Sequence, residues 1–317
     1  MDISYLLLLQ SFRNATGNVL NPFFLFITRF GDIALSATLA LVFYYAIDKE
    51  LGSFMLLGDA FSLFLNGIIK TAACVYRPWV RDARVVPPGD AKASATGYSF
   101  PSGHTTIATA IYGSAAFRYR KQKGLFVCFV VFLALIMFSR NYLGVHTPQD
   151  VICGFALTVL MLVLLSRLLR WADVAANRDG IVVIVSLILS VIAMVWFAKK
   201  TYPMDLDQNG KILVSPKAMQ SDAFFYSGMF LGSAIGWLLE RRFVRFSLSV
   251  DMQTKIFRCL SGILSFYGFY YISGYVLVKP LGLNAASFLC GLLTWIWVLA
   301  IHPMFFSNRE KKHATGN

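Results

Sequence analysis

The chain has 317 residues, of which 57% are hydrophobic and only 14% charged, and its mean hydropathy is +0.62. A soluble domain carries about 45–50% apolar and about 25% charged residues, so disorder, a collagen-like repeat and an ordinary soluble α/β enzyme are excluded and a chain solvated by lipid is implied. The net charge of +13 is read as basic cytoplasmic loops and headgroup contacts, and no nucleic-acid partner is expected. Five scattered cysteines (Cys74, Cys128, Cys153, Cys259 and Cys290) have neither a disulfide framework nor metal-ligand spacing.

The first segment, 1–32, lacks a basic n-region and a cleavage site. Residues 3–12 read as an amphipathic helix at the interface, and 22–30 as a partial apolar segment stopped by Arg29, Gly31 and Asp32. Apolar stretches follow at 33–47, 54–76, 104–117, 125–138, 151–169, 181–198, 223–239, 256–278 and 285–306. The expected fold is all-α, a polytopic membrane helix bundle of about nine transmembrane helices, with eight as the fallback because several stretches are shorter than the roughly 20 residues that span hydrocarbon. Within it, 33–170 forms a core, 171–306 adds further membrane helices, and 307–317 is a basic cytoplasmic tail. Basic clusters at Arg118–Lys123, Arg167–Arg178, Arg241–Arg245 and Arg309–Lys312 share one side if nine helices alternate, which places that side in the cytoplasm. Segments 77–101, 139–150 and 199–222 then face outward.

Three segments that share the outward face carry the useful chemistry. Lys70 and Arg77 lie seven residues apart, close to two helical turns, before Pro78 stops the helix. Two cations aimed at one point receive a multiply charged anion, although in isolation snorkelling to headgroups is the better account of them. Pro101-Ser102-Gly103-His104 opens the next helix. Its free backbone N–H groups, the Ser102 hydroxyl and the bare Gly103 suit an anion, and His104 titrates near neutrality. Ser139-Arg140 and the stretch His146-Thr147-Pro148-Gln149-Asp150 form the third segment. Arg140 is a planar bidentate donor, and Asp150 stands where it can hold one nitrogen of His146 or cap the helix with Thr147.

In that order and at those spacings, Lys-x6-Arg-Pro, Pro-Ser-Gly-His and Ser-Arg-x5-His-x3-Asp resemble the three signature motifs of the type 2 phosphatidic acid phosphatase superfamily. That superfamily includes lipid phosphate phosphatases, glucose-6-phosphatase and the vanadium haloperoxidases. The resemblance covers Lys70–Asp150. It implies that His146 attacks phosphorus to form a phosphohistidine, that Asp150 orients it, and that His104 protonates the leaving group and then activates water. By the same resemblance Lys70, Arg77, Ser102, Gly103 and Arg140 hold the phosphoryl oxygens. No cofactor and no metal are expected, since Asp82 and Asp90 sit among Arg81, Arg84 and Lys92 as solvated rim residues.

The function expected is an integral membrane hydrolase of a lipid phosphate monoester or diphosphate, with lipid as substrate and surroundings. Three alternatives stay open: a phosphatase for a soluble sugar phosphate, a lipid phosphotransferase, and a non-catalytic transporter relative. The substrate's identity and the oligomeric state are not written in these residues. Loop 77–101 is expected to form a rim or lid. Gly228, Gly232 and Gly236 read as a helix-packing face, Asp59 and Asn66 as polar groups on one stripe with Lys70, and His302 and His313 as structural or solvated.

Overall fold

The computed structural model describes residues 2–307. Among them the regular elements are helical, and the β contact is an isolated bridge between Leu206 and Ile212. Arg309, Lys311, Lys312 and His313 of the expected basic tail lie outside the described residues. In chain order the α-helices are α1 (Asp2–Ala15), α2 (Asn21–Thr28), α3 (Ile33–Val42), α4 (Lys49–Ala73), α5 (Pro78–Arg81), α6 (Gly103–Ala108), α7 (Ser114–Arg118) and α8 (Lys123–Tyr142). They continue as α9 (Pro148–Asp173), α10 (Arg178–Lys199), α11 (Pro216–Leu239), α12 (Met252–Gly268), α13 (Gly274–Leu281) and α14 (Leu283–Ile296).

Six helical stretches are long and apolar enough to cross a membrane: Lys49–Arg81, Lys123–Tyr142, Pro148–Asp173, Arg178–Lys199, Met252–Leu281 and Leu283–Ser307. A seventh is gained if Asn21–Gly31 and Ile33–Ile47, bent by 63°, count as one span. The chain is thus a multi-pass membrane protein, and the expected count of nine is only approximate, six or seven stretches among the described residues meeting the length and composition of a span. The expected third span runs from Gly103 only to Arg118, about 24 Å against about 30 Å of hydrocarbon. The expected seventh, in α11, has its apolar content diluted by Ser227, Gly228, Gly232, Ser233 and Gly236.

The chain divides into two compact units. The first takes in Met1–Ser36, Leu65–Leu162 and Lys200–Met219. In it α2, α6 and α7 pack on α8, and α6 also packs on the 3₁₀ turn Arg29–Gly31. Two apolar clusters brace this unit. One joins Phe24, Ala91, Ala95, Tyr142 and Val145 with Trp79 against it; the other joins Tyr98, Tyr202, Val214 and Met219. Asn66 donates to the Thr106 hydroxyl at 2.9 Å, which ties α4 to α6 and gives the polar stripe a structural use.

The second unit takes in Ala37–Phe64, Val163–Lys199 and Gln220–Asn317. In it α11 meets α14 backbone to backbone: a Cβ on Gly228 or Gly232 would strike the main chain of Phe288 or Leu292, and one on Gly291 would strike that of Phe225 and Met229. The expected glycine face is a helix-packing face. His302 lies against the Tyr45 ring with Nε2 3.1 Å from Ser261 Oγ, a structural setting.

Candidate active site

The three motifs come together within the first unit. α4 delivers Lys70, whose Nζ donates to the carbonyl oxygens of Pro101 at 2.7 Å and Tyr98 at 3.1 Å. These contacts tie down the segment that leads into α6. Arg77 is buried beyond the end of α4. Its Nε donates to Gly97 O at 3.0 Å, its Nη2 to Thr96 O at 2.7 Å and its Nη1 to Val145 O at 3.1 Å.

Arg77 Nη1 also donates to Nε2 of His146 at 2.8 Å. A guanidinium has no acceptor, so Nε2 carries the lone pair and the imidazole proton sits on Nδ1. Nδ1 faces Asp150 Oδ2 and Ser99 Oγ, each at 3.4 Å. Ser99 in turn donates to Asp150 Oδ2 at 2.6 Å, and the Thr147 N–H donates to the same oxygen at 2.8 Å. Asp150 N–H donates to Thr147 Oγ1 at 3.4 Å, so the reciprocal cap at the start of α9 forms while Asp150 still faces the ring.

His146 sits on the turn between α8 and α9, where Gly144 takes a φ of +68° that other residues resist. Asn141 Nδ2 donates to His146 O at 2.9 Å and steadies the turn. The ring is 1% exposed. Burial first, then the charges of Arg77, Arg140, Lys70 and His104, hold this imidazole well below its ordinary value. His146 is therefore neutral at neutral pH, with its Nε2 lone pair engaged by Arg77.

Ser102 caps α6, its Oγ accepting from Thr105 N–H at 3.4 Å and from Thr105 Oγ1 at 3.1 Å. The Ser102 N–H donates to Asp150 O at 3.0 Å. The two helices approach this closely because position 154 is glycine; a Cβ there would stand 2.9 Å from Ser102 O. Beside Gly103, by contrast, a Cβ would meet nothing within 4 Å, so open space borders the first turn. His104 follows, with Nε2 buried and 2.8 Å from Asp32 Oδ1.

Arg140, at the end of α8, is fully buried. Its Nη1 donates to Thr28 Oγ1 at 2.5 Å and lies 3.5 Å from Ser94 Oγ. Its Nε and Nη2 are buried without a hydrogen-bond partner. These two donors lie on the edge that guanidinium groups in general use for bidentate pairs with oxyanions.

Lys70, Arg77, Ser102, Gly103, His104, Arg140, His146 and Asp150 thus belong to one neighbourhood. Of the rim or lid expected of loop 77–101, the second half is a packed wall: Ala91, Ala95, Tyr98 and Ser99 are buried, and Arg77 holds two of its carbonyl groups. Asp82 pairs with Arg84 at 2.7 Å and Asp90 with Arg29 at 3.9 Å, as rim residues. Among the described residues no three His, Cys, Asp or Glu side chains converge as a metal cage. Ser99, Thr28 and Asp32 are the neighbours that sequence reasoning did not single out. Ser99 lies three residues before Ser102 but matches no spacing rule, and Thr28 and Asp32 come from the N-terminal segment.

The PAP2 superfamily model matches residues 51–174, and the model of the PAP2 superfamily phosphatase transmembrane extension matches residues 224–312. An undecaprenyl-diphosphatase of Sulfolobus acidocaldarius is 26% identical over 141 residues, covering 44% of this chain and 65% of that protein. Phosphatidylglycerophosphatase B of Bacillus subtilis is 30% identical over 128 residues, covering 38% of this chain and 58% of that protein. The chain therefore spans less than two thirds of the length of either relative. No solved structure matches. With the three motifs folded into one buried cluster and both family models matched in order along the sequence, the chain belongs to the PAP2 superfamily.

Proposed function

We propose that the protein hydrolyses a lipid phosphate monoester or diphosphate through a phosphohistidine on His146, without a metal ion. The observation that carries this reading is the buried, neutral His146 with its Nδ1 turned to Asp150 and its lone pair on Nε2. Such a ring is a competent nucleophile toward phosphorus. Asp150 holds the tautomer and stabilises the charge that develops on the ring. His104 protonates the leaving oxygen and then takes a proton from water. Arg140 presents two unpartnered donors, and Arg77, Lys70, the Ser102 hydroxyl and the open face at Gly103 complete the receptor for the phosphoryl oxygens. Phosphoryl transfer asks mainly for positioning and charge neutralisation, and three cations supply both.

The lipid assignment is supported by the names of the two relatives, an undecaprenyl-diphosphatase and a phosphatidylglycerophosphatase, and by the apolar helices that carry the motifs. The site is proposed to face the non-cytoplasmic side. α8 and α9 both bring their site ends to His146, while Lys123 and the cluster Arg167–Arg170 lie at their opposite ends, and basic ends prefer the cytoplasm. Phosphate release from phosphatidate, a polyprenyl diphosphate and glucose 6-phosphate, each run beside His146→Ala, tests the proposal. Turnover of a lipid substrate that is abolished in the variant is expected. Near-native turnover in the variant refutes the nucleophile, and preference for glucose 6-phosphate refutes the lipid assignment.

A further inference from the structure

We infer that Asp32 is the positioning residue for His104, holding the buried nitrogen of its ring; the inference rests on the phosphatase reading above. Asp32 lies outside the three motifs and outside residues 51–174 matched by the family model. The fold nevertheless brings its Oδ1 to 2.8 Å from His104 Nε2.

The approach is built in. The 3₁₀ turn Arg29–Gly31 ends at Asp32, whose N–H donates to Arg29 O at 3.0 Å. Gly31 lets that turn lie against the histidine, since a Cβ there would stand 2.9 Å from His104 Cβ. Ser36 Oγ donates to Phe30 O at 2.6 Å, and Tyr112 OH donates to the same oxygen at 3.1 Å. Tyr112 is carried on the helical run that begins at Gly103, so the turn is pinned to the segment that bears His104.

The charge balance gives Asp32 a task. Burial first, and then the guanidinium charges of Arg140 and Arg77, lower the His104 imidazole to about 4, and Asp32 is the neighbour that acts in the opposite direction. Two guanidinium ions oppose an imidazolium, and Asp32 is the anion that offsets them. With Nε2 beside Asp32, Nδ1 is the nitrogen that exchanges protons with substrate. In the first half-reaction the bond between His146 Nε2 and phosphorus forms, the bond from phosphorus to the leaving oxygen breaks, and the His104 Nδ1 proton passes to that oxygen. In the second, water attacks phosphorus and gives a proton to His104 Nδ1, the bond from nitrogen to phosphorus breaks, and phosphate leaves.

The test uses leaving-group dependence, which a purely structural role would not move. kcat/KM is measured for dioleoyl phosphatidate in detergent micelles and for p-nitrophenyl phosphate, in the wild type, Asp32→Asn, Asp32→Glu and His104→Ala. An alkoxide needs a proton to leave, and nitrophenolate does not. Asp32→Asn is expected to lose about 10- to 100-fold on phosphatidate and less than about 3-fold on p-nitrophenyl phosphate, a fraction of what a general acid contributes. Asp32→Glu should recover part of the loss. If His104→Ala shows the leaving-group contrast but Asp32→Asn lowers both substrates alike or neither, the inference about Asp32 is overturned while the phosphatase reading stands. If His104→Ala shows no contrast, the proton-transfer role of His104 falls, and the inference falls with it.

Discussion

Arg77 Nη1 donates to His146 Nε2 at 2.8 Å, so the lone pair proposed to attack phosphorus is covered by a cation also proposed to bind the phosphoryl oxygens. Substrate has to draw the guanidinium from the nitrogen to the oxyanion, and the covering hydrogen bond is exchanged for a charge-assisted one. Arg77→Ala uncovers the nucleophile but removes a donor to the transition state. Loss of such a donor costs about 10²- to 10³-fold in kcat. Steady-state kinetics checks this; a variant faster than wild type would mean that Arg77 only obstructs.

Ser99 joins the two proposed partners of the nucleophile, donating to Asp150 Oδ2 at 2.6 Å and lying 3.4 Å from His146 Nδ1. Ser99→Ala leaves that carboxylate oxygen with the Thr147 N–H and the more distant His146 Nδ1–H as donors. A hydrogen bond to a charged group contributes about 1.5–3 kcal/mol, so a fall in kcat of about tenfold or more is expected, with KM little changed. Equal kcat in the variant would reduce Ser99 to a packing residue.

The pH dependence follows from the depressed value of His146. In the folded protein the ring stays neutral below about pH 6.5, where a free imidazole gains its proton. Phosphoenzyme formation, followed by rapid quench, should therefore not lose its nucleophile as pH falls from 7 through about 6.5. The unfolded chain does take up a proton in that window, so His146 contributes stability that is present above about 6.5 and lost progressively at lower pH. Replacing it by Gln should flatten that part of the stability profile, measured by thermal unfolding in detergent.

Gly154 meets Ser102 O without a side chain, and a Cβ would stand 2.9 Å from that oxygen. Gly154→Ala should cost about 1–3 kcal/mol through overpacking and displace the cap of α6. A lowered unfolding temperature together with reduced kcat is the expected pair of readings. Wild-type values for both would show that the helices separate without penalty.

The proposed chemistry draws its positive charge from Lys70, Arg77 and Arg140. Activity should survive a strong chelator and be inhibited by vanadate, which takes up the five-coordinate geometry of the transition state. Activity lost in chelator and restored by magnesium would overturn the metal-free mechanism.

Class and motif were legible in the amino-acid order because both are local. Apolar runs long enough to cross hydrocarbon announce membrane helices, and Pro101-Ser102-Gly103-His104 is contiguous, so its cap and open face arise within one turn. The number of spans was less legible. Gly103–Arg118 and α11 read as spans from apolar content, yet one is too short and the other is thinned by the small residues that press it against α14. Tertiary structure alone decided that Arg77 would sit on His146, that Ser99 would bridge to Asp150, and that Asp32 would reach His104 from 72 positions earlier in the chain. Sequence separation carries no distance, and a serine or aspartate without a fixed spacing has no local signature. Their roles exist only after burial and packing have chosen which polar groups must face one another.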